Sequence, residues 1–200
     1  MPSDATTKPV VFKHDARSMV LLNEPSNGRP GTVLKRFLHA GFKQLLTYCI
    51  GLHPAQKERR AAAWLARRGV FVVPITDIHL GVGERGQPVF HVTLLTEYHG
   101  PSLQQALRDT PPDNHSRLLA AVAPLVRQLL DRRVFFKDLK SSNIVLGPDA
   151  PHTLNPRLID VGSARRGLSA DQRRRMLDML RHTCQDDGAD LNELDAHLPH

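Results

Sequence analysis

The chain predicts an α+β fold of two lobes: a small antiparallel β-rich N-terminal lobe and a reduced, mainly helical C-terminal lobe. Three observations carry this. Short apolar and β-branched runs, separated by Gly/Pro turn clusters, dominate residues 1–98. Apolar residues at helical spacing dominate residues 99–200. The break between the two patterns falls at Glu97–Gly100, which reads as a hinge. We expect one domain over 1–200, divided into lobes at that hinge.

Taken in order, VVFKH (10–14) and SMVLLN (18–23) are short strand-like runs. The cluster Asn23–Gly31 holds two prolines and two glycines and reads as a turn. TVLKRF (Thr32–Phe37) is a third strand. HAGFKQLLTYCIGLH is apolar with a single lysine. It suits a helix facing a membrane or a partner, and equally an insert packed on the small lobe. Pro54 stands where a first helical position would be, and Gly69 stands just past the end. Between them Ala61, Trp64, Leu65 and Arg68 fall at helical spacing. VFVVPITDIHLG and PVFHVTLLTEY supply two further strands about a turn at Gly83–Gly86.

In the second half, Ser102 and Gln105 are spaced as a capping box. Leu118, Leu119, Val122, Leu125, Val126, Leu129 and Leu130 mark one broad buried face, and Pro124 should kink that helix or cost it one hydrogen bond. Two short strands, NIVL and RLID, follow with a turn-rich connection. A last helix starts at Ser169, with Gln172 as its box partner. After Arg181 the tail carries Asp186, Asp187, Asp190, Glu193 and Asp195 with no Lys or Arg. It either folds back on the basic body or stays disordered.

Composition excludes several classes. Hydrophobic residues are 40% and charged residues 24%, as in ordinary globular chains. No stretch approaches the roughly 18–20 apolar residues of a spanning helix, and MPSDATTKPVVFKHD lacks a signal-peptide core. A cytoplasmic protein is expected, able to touch a membrane surface. Cys49 and Cys184 are too few and too distant for a disulfide framework or a zinc site and read as reduced thiols. The 11 histidines show no ligand spacing. The net charge is +7, and arginine supplies 20 of the 27 basic residues. Nucleotides, phosphorylated lipids, nucleic acid or an acidic membrane face would all suit that charge, as would simple solubility.

FFKDLKSSNIVL carries the most chemistry. Asp138 and Asn143 lie five apart in a polar loop between a helix and a short strand, with Lys140 beside them. LIDVG then places Asp160 at a strand end, followed by Gly162. Two carboxylates and an amide beside strands suit Mg²⁺ and phosphate, because Mg²⁺ takes hard oxygens and completes its shell with phosphate and water. A carboxylate left over can orient an attacking hydroxyl, and Lys140 can neutralise charge on the phosphoryl group. Alone, the Asp138/Asn143 spacing would also suit a turn or cap.

These residues resemble the catalytic loop of protein-kinase-like phosphotransferases, H-R-D-L-K-x-x-N followed by D-F-G, here F-K-D-L-K-S-S-N and D-V-G. Lys35 in VLKRF, Glu58 in AQKERRAAAWLARRG and Glu97 in LLTEYHG stand in that family's order; the chain has only five glutamates. More narrowly, VLKRF, the 41–75 segment, LLTEYHGPSL and FFKDLKSSNIVL resemble the lipopolysaccharide kinases, the Kdo and core-heptose (WaaP-like) group. The resemblance spans most of residues 32–165.

It implies an ATP- and Mg²⁺-dependent kinase acting on a Kdo or heptose hydroxyl of the lipopolysaccharide inner core, peripheral to the cytoplasmic face of the inner membrane. Lys35 would hold the α/β-phosphates and Glu58 would orient it. Glu97 would mark the hinge and act through its backbone. Asp138 would take the acceptor proton, Lys140 would contact the γ-phosphate, and Asn143 and Asp160 would bind Mg²⁺.

The chain departs from the pattern. It has no G-x-G-x-x-G, Phe136 and Lys137 replace His-Arg, Val161 replaces phenylalanine, and no A-P-E segment follows. A small or lipid-linked sugar acceptor suits so short a lobe better than a protein. Two other functions remain open at this level. One is a small atypical kinase or ATPase of the tRNA-modification type; the other is a pseudokinase scaffold. Lys35 could also be a solvent-facing strand residue, Glu58 a surface residue of an arginine-rich helix, Arg173–Arg175 a solvated helix face and Trp64 plain core.

Overall fold

A computed structural model describes residues 10–14, 18–23, 31–37, 42–82, 90–150 and 153–197. The turns expected within Asn23–Gly31 and at Gly83–Gly86 lie outside the described residues, save Asn23 and Gly31 themselves. The chain divides into two compact units, residues 1–59 with 74–98 and residues 60–73 with 99–200.

The first unit is built on a five-stranded antiparallel sheet. Its strands are β1 (Val10–His14), β2 (Ser18–Asn23), β3 (Thr32–Phe37), β4 (Ile75–Val82) and β5 (Phe90–Glu97), in the order β1-β2-β3-β5-β4. All its pairs are antiparallel. Two helices follow β3: α1 (Phe42–Cys49), and α2 (Pro54–Ala66), whose residues from Arg60 on belong to the second unit. Ala55 of α2 packs with Val92 and Leu94 of β5, and Phe37, Tyr48, Ile75 and Ile78 close around them. Alternation explains β5: Val92 and Leu94 occupy one face of a pleated strand. The apolar segment before α2 is thus partly a packed insert. Tyr48 joins the core while Leu46, Ile50 and Leu52 stay exposed.

The end of α2 follows from one residue. The Gly69 N–H bonds the Ala66 carbonyl and the Val70 N–H bonds the Leu65 carbonyl, with Gly69 at φ +72°. This paired arrangement needs a left-handed residue after the helix, which glycine adopts without steric cost.

The second unit holds α3 (Leu103–Asp109), α4 (His115–Asp131), α5 (Ala170–Asp186) and α6 (Leu191–His197). Its two antiparallel ribbons pair β6 (Val134–Phe136) with β9 (Ala164–Arg166), and β7 (Ile144–Ala150) with β8 (Thr153–Leu158). Leu119, Val122, Leu125, Val126 and Leu129 form the buried stripe of α4, and Leu118 and Leu130 are half-buried at its edges. Pro124 sits on the exposed side, and α4 stays continuous through it. Only the one donor that proline lacks is lost. Ser169 forms the full capping box with Gln172, and Ser102 accepts from the Gln105 N–H.

The acidic tail is a further helix rather than a disordered end. Gly188, at φ +94°, closes α5 as Gly69 closes α2, with Gly188 N–H to Gln185 and Ala189 N–H to Cys184. Arg181 then pairs with Asp195 at 2.7 Å. The strands β6 and β9 have only three residues each, too short to show a period in the sequence.

Gly100 adopts φ +123°, and a Cβ there would stand 2.3 Å from the Leu146 carbonyl oxygen of β7. Gly100→Ala is therefore expected to lower the thermal midpoint by several degrees, equivalent to about 2 kcal/mol or more. An unchanged midpoint would contradict the geometry. Both cysteines are free thiols, Cys49 exposed and Cys184 buried. Burial, with the Asp187 charge adding to it, pushes the Cys184 thiol up to about 12. A thiol reagent at neutral pH should label Cys49 promptly and Cys184 only on unfolding. Unfolded chains lose this proton at the ordinary 9.0, so stability should fall as pH rises from there towards 12. Denaturant midpoints across that range should fall less steeply in Cys184→Ala.

Candidate active site

In the first unit, Lys35 is centred in β3, opposite Val20 of β2 and Leu94 of β5. Alternation puts Val33, Lys35 and Phe37 on one face. Across α2, Ala55, Glu58, Ala62 and Leu65 lie at i, i+3, i+7 and i+10, and all four are buried. Glu58 is therefore the one acid on the buried stripe of an otherwise arginine- and alanine-rich helix. Lys35 Nζ donates to Glu58 Oε2 at 3.1 Å, with side chains only 19% and 9% exposed. The solvent-facing readings of both residues are excluded by that pairing. Lys35 Nζ also stands 5.5 Å from the centre of the Phe37 ring. A half-dry ammonium beside a ring and a carboxylate is held in one place, where a surface lysine would sweep freely.

His53 positions this helix, and the sequence reading passed it over. Its Nδ1 accepts from the Ala55 N–H at 3.2 Å, and its ring meets Phe37 and Tyr48 edge to face. The signal was readable, since His53 directly precedes a proline at the first helical position. Glu97 ends β5 opposite Thr32 and is exposed, and among the described residues no hydrogen bond or ion pair joins it to the Lys35–Glu58 pair.

In the second unit, Asp138 leaves β6 in a tight turn closed by the Leu139 N–H to the Phe136 carbonyl, 3.2 Å. Lys140 is extended and half-buried, and a short 3₁₀ turn, Ser141–Asn143, follows it. The Asn143 side chain is brought back to Asp138: its Nδ2 donates to the Asp138 carbonyl at 2.9 Å. This is the cap-like bond that the five-residue spacing allows, and it sets the amide's orientation. The Ile159 N–H bonds the Asn143 carbonyl at 3.0 Å, so Asp160 is the residue next to that junction. Asp160 is exposed and left-handed, at φ +53°, a conformation aspartate tolerates better than most residues. Asp138, Asn143 and Asp160 thus share one backbone junction, and Lys140 lies on the same loop.

A buried carboxylate that the sequence reading assigned only to an acidic tail holds the loop in place. Asp187, 1% exposed, accepts from the Ser141 hydroxyl, from Gln104 Nε2 at 3.1 Å, and from Arg108 Nε at 2.9 Å and a terminal guanidinium nitrogen at 2.7 Å. The Ser141 N–H donates to Thr183 Oγ1 at 3.1 Å. These partners lie 42 to 83 residues apart in the chain, so no local pattern announces them.

The donor set suits Mg²⁺ and phosphate. The bond to Asp138 occupies the nitrogen of the Asn143 amide and leaves its oxygen, a hard ligand, for another partner; Asp160 adds an exposed carboxylate. Among the described residues no three His, Cys, Asp or Glu side chains gather as a cage. An ion held at Asn143 and Asp160 would therefore take its remaining ligands from phosphate oxygens and water.

No family model matches the chain, and no curated protein matches it. Solved structures do. One is WaaP in complex with acyl carrier protein, with a TM-score of 0.56 and 19% identity over 92% of this chain and 73% of that one. The fold is kinase-like. At that identity the likeness speaks for architecture alone.

Removing one partner of a largely buried ion pair leaves the other charge stranded. Glu58→Gln preserves shape and is expected to cost about 1–3 kcal/mol, the exposure of Lys35 softening the penalty. Chemical denaturation of the two proteins checks this. A cost no greater than that of Glu97→Gln would mean the pair contributes nothing.

Proposed function

We propose that the chain is an ATP- and Mg²⁺-dependent phosphotransferase whose acceptor is a sugar hydroxyl, Kdo or heptose, of the lipopolysaccharide inner core, reached at the cytoplasmic face of the inner membrane. The observation that carries the reading is the buried Lys35–Glu58 pair, made in a kinase-like fold that also gathers Asp138, Asn143 and Asp160 at one junction. A solvated lysine–glutamate contact would be unremarkable. A pair held on a central strand and a buried helix face offers one cation at a fixed place, which is what orienting a polyphosphate requires.

In this reading the Lys35 ammonium binds the α/β-phosphates while Glu58 keeps it from swinging away. Magnesium, held through Asn143 and Asp160, would supply charge neutralisation on the phosphate oxygens when bound. Asp138 accepts the acceptor hydroxyl's proton as its oxygen bonds the γ-phosphorus and the bond to the β-phosphate oxygen breaks. Lys140 offsets negative charge on the transferring group. The transition state needs little covalent help, so positioning and electrostatics carry the rate.

The lipopolysaccharide acceptor rests on the resemblance in residues 32–165 and on the WaaP-like architecture. Transfer from γ-labelled ATP to unphosphorylated lipopolysaccharide core, bulk tRNA and a generic protein tests it. Label should appear on the glycolipid and fall about a hundredfold or more in Asp138→Ala. Label on tRNA alone would replace the acceptor, and no transfer without Mg²⁺-dependent ATP binding would leave a scaffold.

A further inference from the structure

We infer that His53 is a positioning residue whose own proton governs the Lys35–Glu58 pair: α2 presents Glu58 to Lys35 while His53 Nδ1 is unprotonated, and acid releases it. Helix α2 opens with Pro54, so its first position has no N–H to satisfy. The three donors that follow all end on His53. Its Nδ1 accepts from the Ala55 N–H at 3.2 Å, and its carbonyl accepts from the Gln56 and Lys57 N–H groups at 3.0 Å each. Ser, Thr, Asp or Asn is the ordinary side chain at such a cap, and none of them gives up its acceptor near neutral pH. A histidine does. Nδ1 must be unprotonated to accept, because an imidazolium donates from both ring nitrogens. A proton there removes the cap and sets a positive charge against the positive end of the helix dipole.

The same ring reaches the other half of the pair. His53 is 2% exposed, and its ring meets Phe37 edge to face at 5.3 Å and Tyr48 at 6.0 Å. Phe37 shares a face of β3 with Lys35, whose Nζ stands 5.5 Å from the Phe37 ring centre. His53 therefore caps the helix that carries Glu58 and packs on the strand that carries Lys35. A charged imidazole is costly in that apolar setting, so protonation displaces the ring and the helix start with it. Among the described residues, the other titratable groups on the facing turns are Lys35 of β3, Tyr48 and Cys49 of α1, and Lys57 and Glu58 of α2. Acid also protonates Glu58, so a test must separate the two. The inference concerns regulation of the proposed phosphotransferase site and rests on that reading only where ATP enters.

The experiment follows the isotope-labelled full chain by NMR from about pH 8 to about pH 5, the span in which histidines ordinarily charge. Protection of the Ala55 amide against exchange should fall about fivefold or more on acidification, and the Lys35 Nζ signal should shift with the same midpoint. His53→Asn keeps an acceptor that does not titrate and leaves Glu58 in place. Both readouts should then hold steady across the span, whatever the smaller side chain does to the thermal midpoint. His53→Phe keeps a ring without an acceptor, and its Ala55 amide should exchange freely at every pH. ATP binding measured alongside should weaken with acid in the parent and not in His53→Asn. ATP binding that ignores pH while both signals move would unseat Lys35 as a phosphate ligand and leave the inference standing. A protonated Nδ1 at neutral pH, or protection unchanged across the span, overturns it. The same acid loss in His53→Asn also overturns it and assigns the loss to Glu58.

Discussion

Two periods must be in phase for this protein to have a site in its first unit. A strand repeats every two residues and a helix every 3.6, and Lys35 meets Glu58 only if β3 and α2 present the right residue to each other. The register of β3 between β2 and β5 sets the first period. His53, capping α2 while its ring packs on Phe37 and Tyr48, sets the second. A slip of one residue in β3 would turn Lys35 to the opposite face of the sheet. The apolar packing of Ala55, Val92 and Leu94 thus does more than stabilise the unit. It decides where a cation stands.

The second unit meets a comparable demand with polar contacts. A loop that carries Asp138, Lys140 and Asn143 has few apolar groups to bury, so packing alone would leave it loose. The chain anchors it from below. Asp187 gathers Ser141, Gln104 and Arg108, and Thr183 takes the Ser141 N–H. A buried carboxylate is tolerable here because its oxygens meet three donor side chains from two segments, one of them a guanidinium. Burial, with the same charge adding to it, keeps Cys184 protonated and inert. Stability and loop geometry therefore rest on one group.

Much of the fold was legible because strong local signals agreed. The strand Thr32–Phe37, the helix opening at Pro54 and closing at Gly69, and the box at Ser169 each combine a period with a stop or start residue. The ribbon β6–β9 and the helix α6 were not legible. Three residues cannot show an alternation, and an acidic run without bases looks unfolded until Arg181 is brought to Asp195. The candidate residues Lys35, Glu58, Asp138, Lys140, Asn143 and Asp160 were identified by order and motif. That Glu58 is buried and that Asn143 turns back on Asp138 were not, because both depend on neighbours far from any motif.

The sequence alone determined which groups are available: one lysine on a strand, one acid on an arginine-rich helix, and an Asp-Lys-Asn loop ahead of Asp-Val-Gly. It did so because residue type and local period are written in the order of the chain. Only the tertiary structure decided which of those groups are dry, paired and held. Burial and charge pairing are set by residues that meet across tens of positions, and no short window of sequence contains both partners.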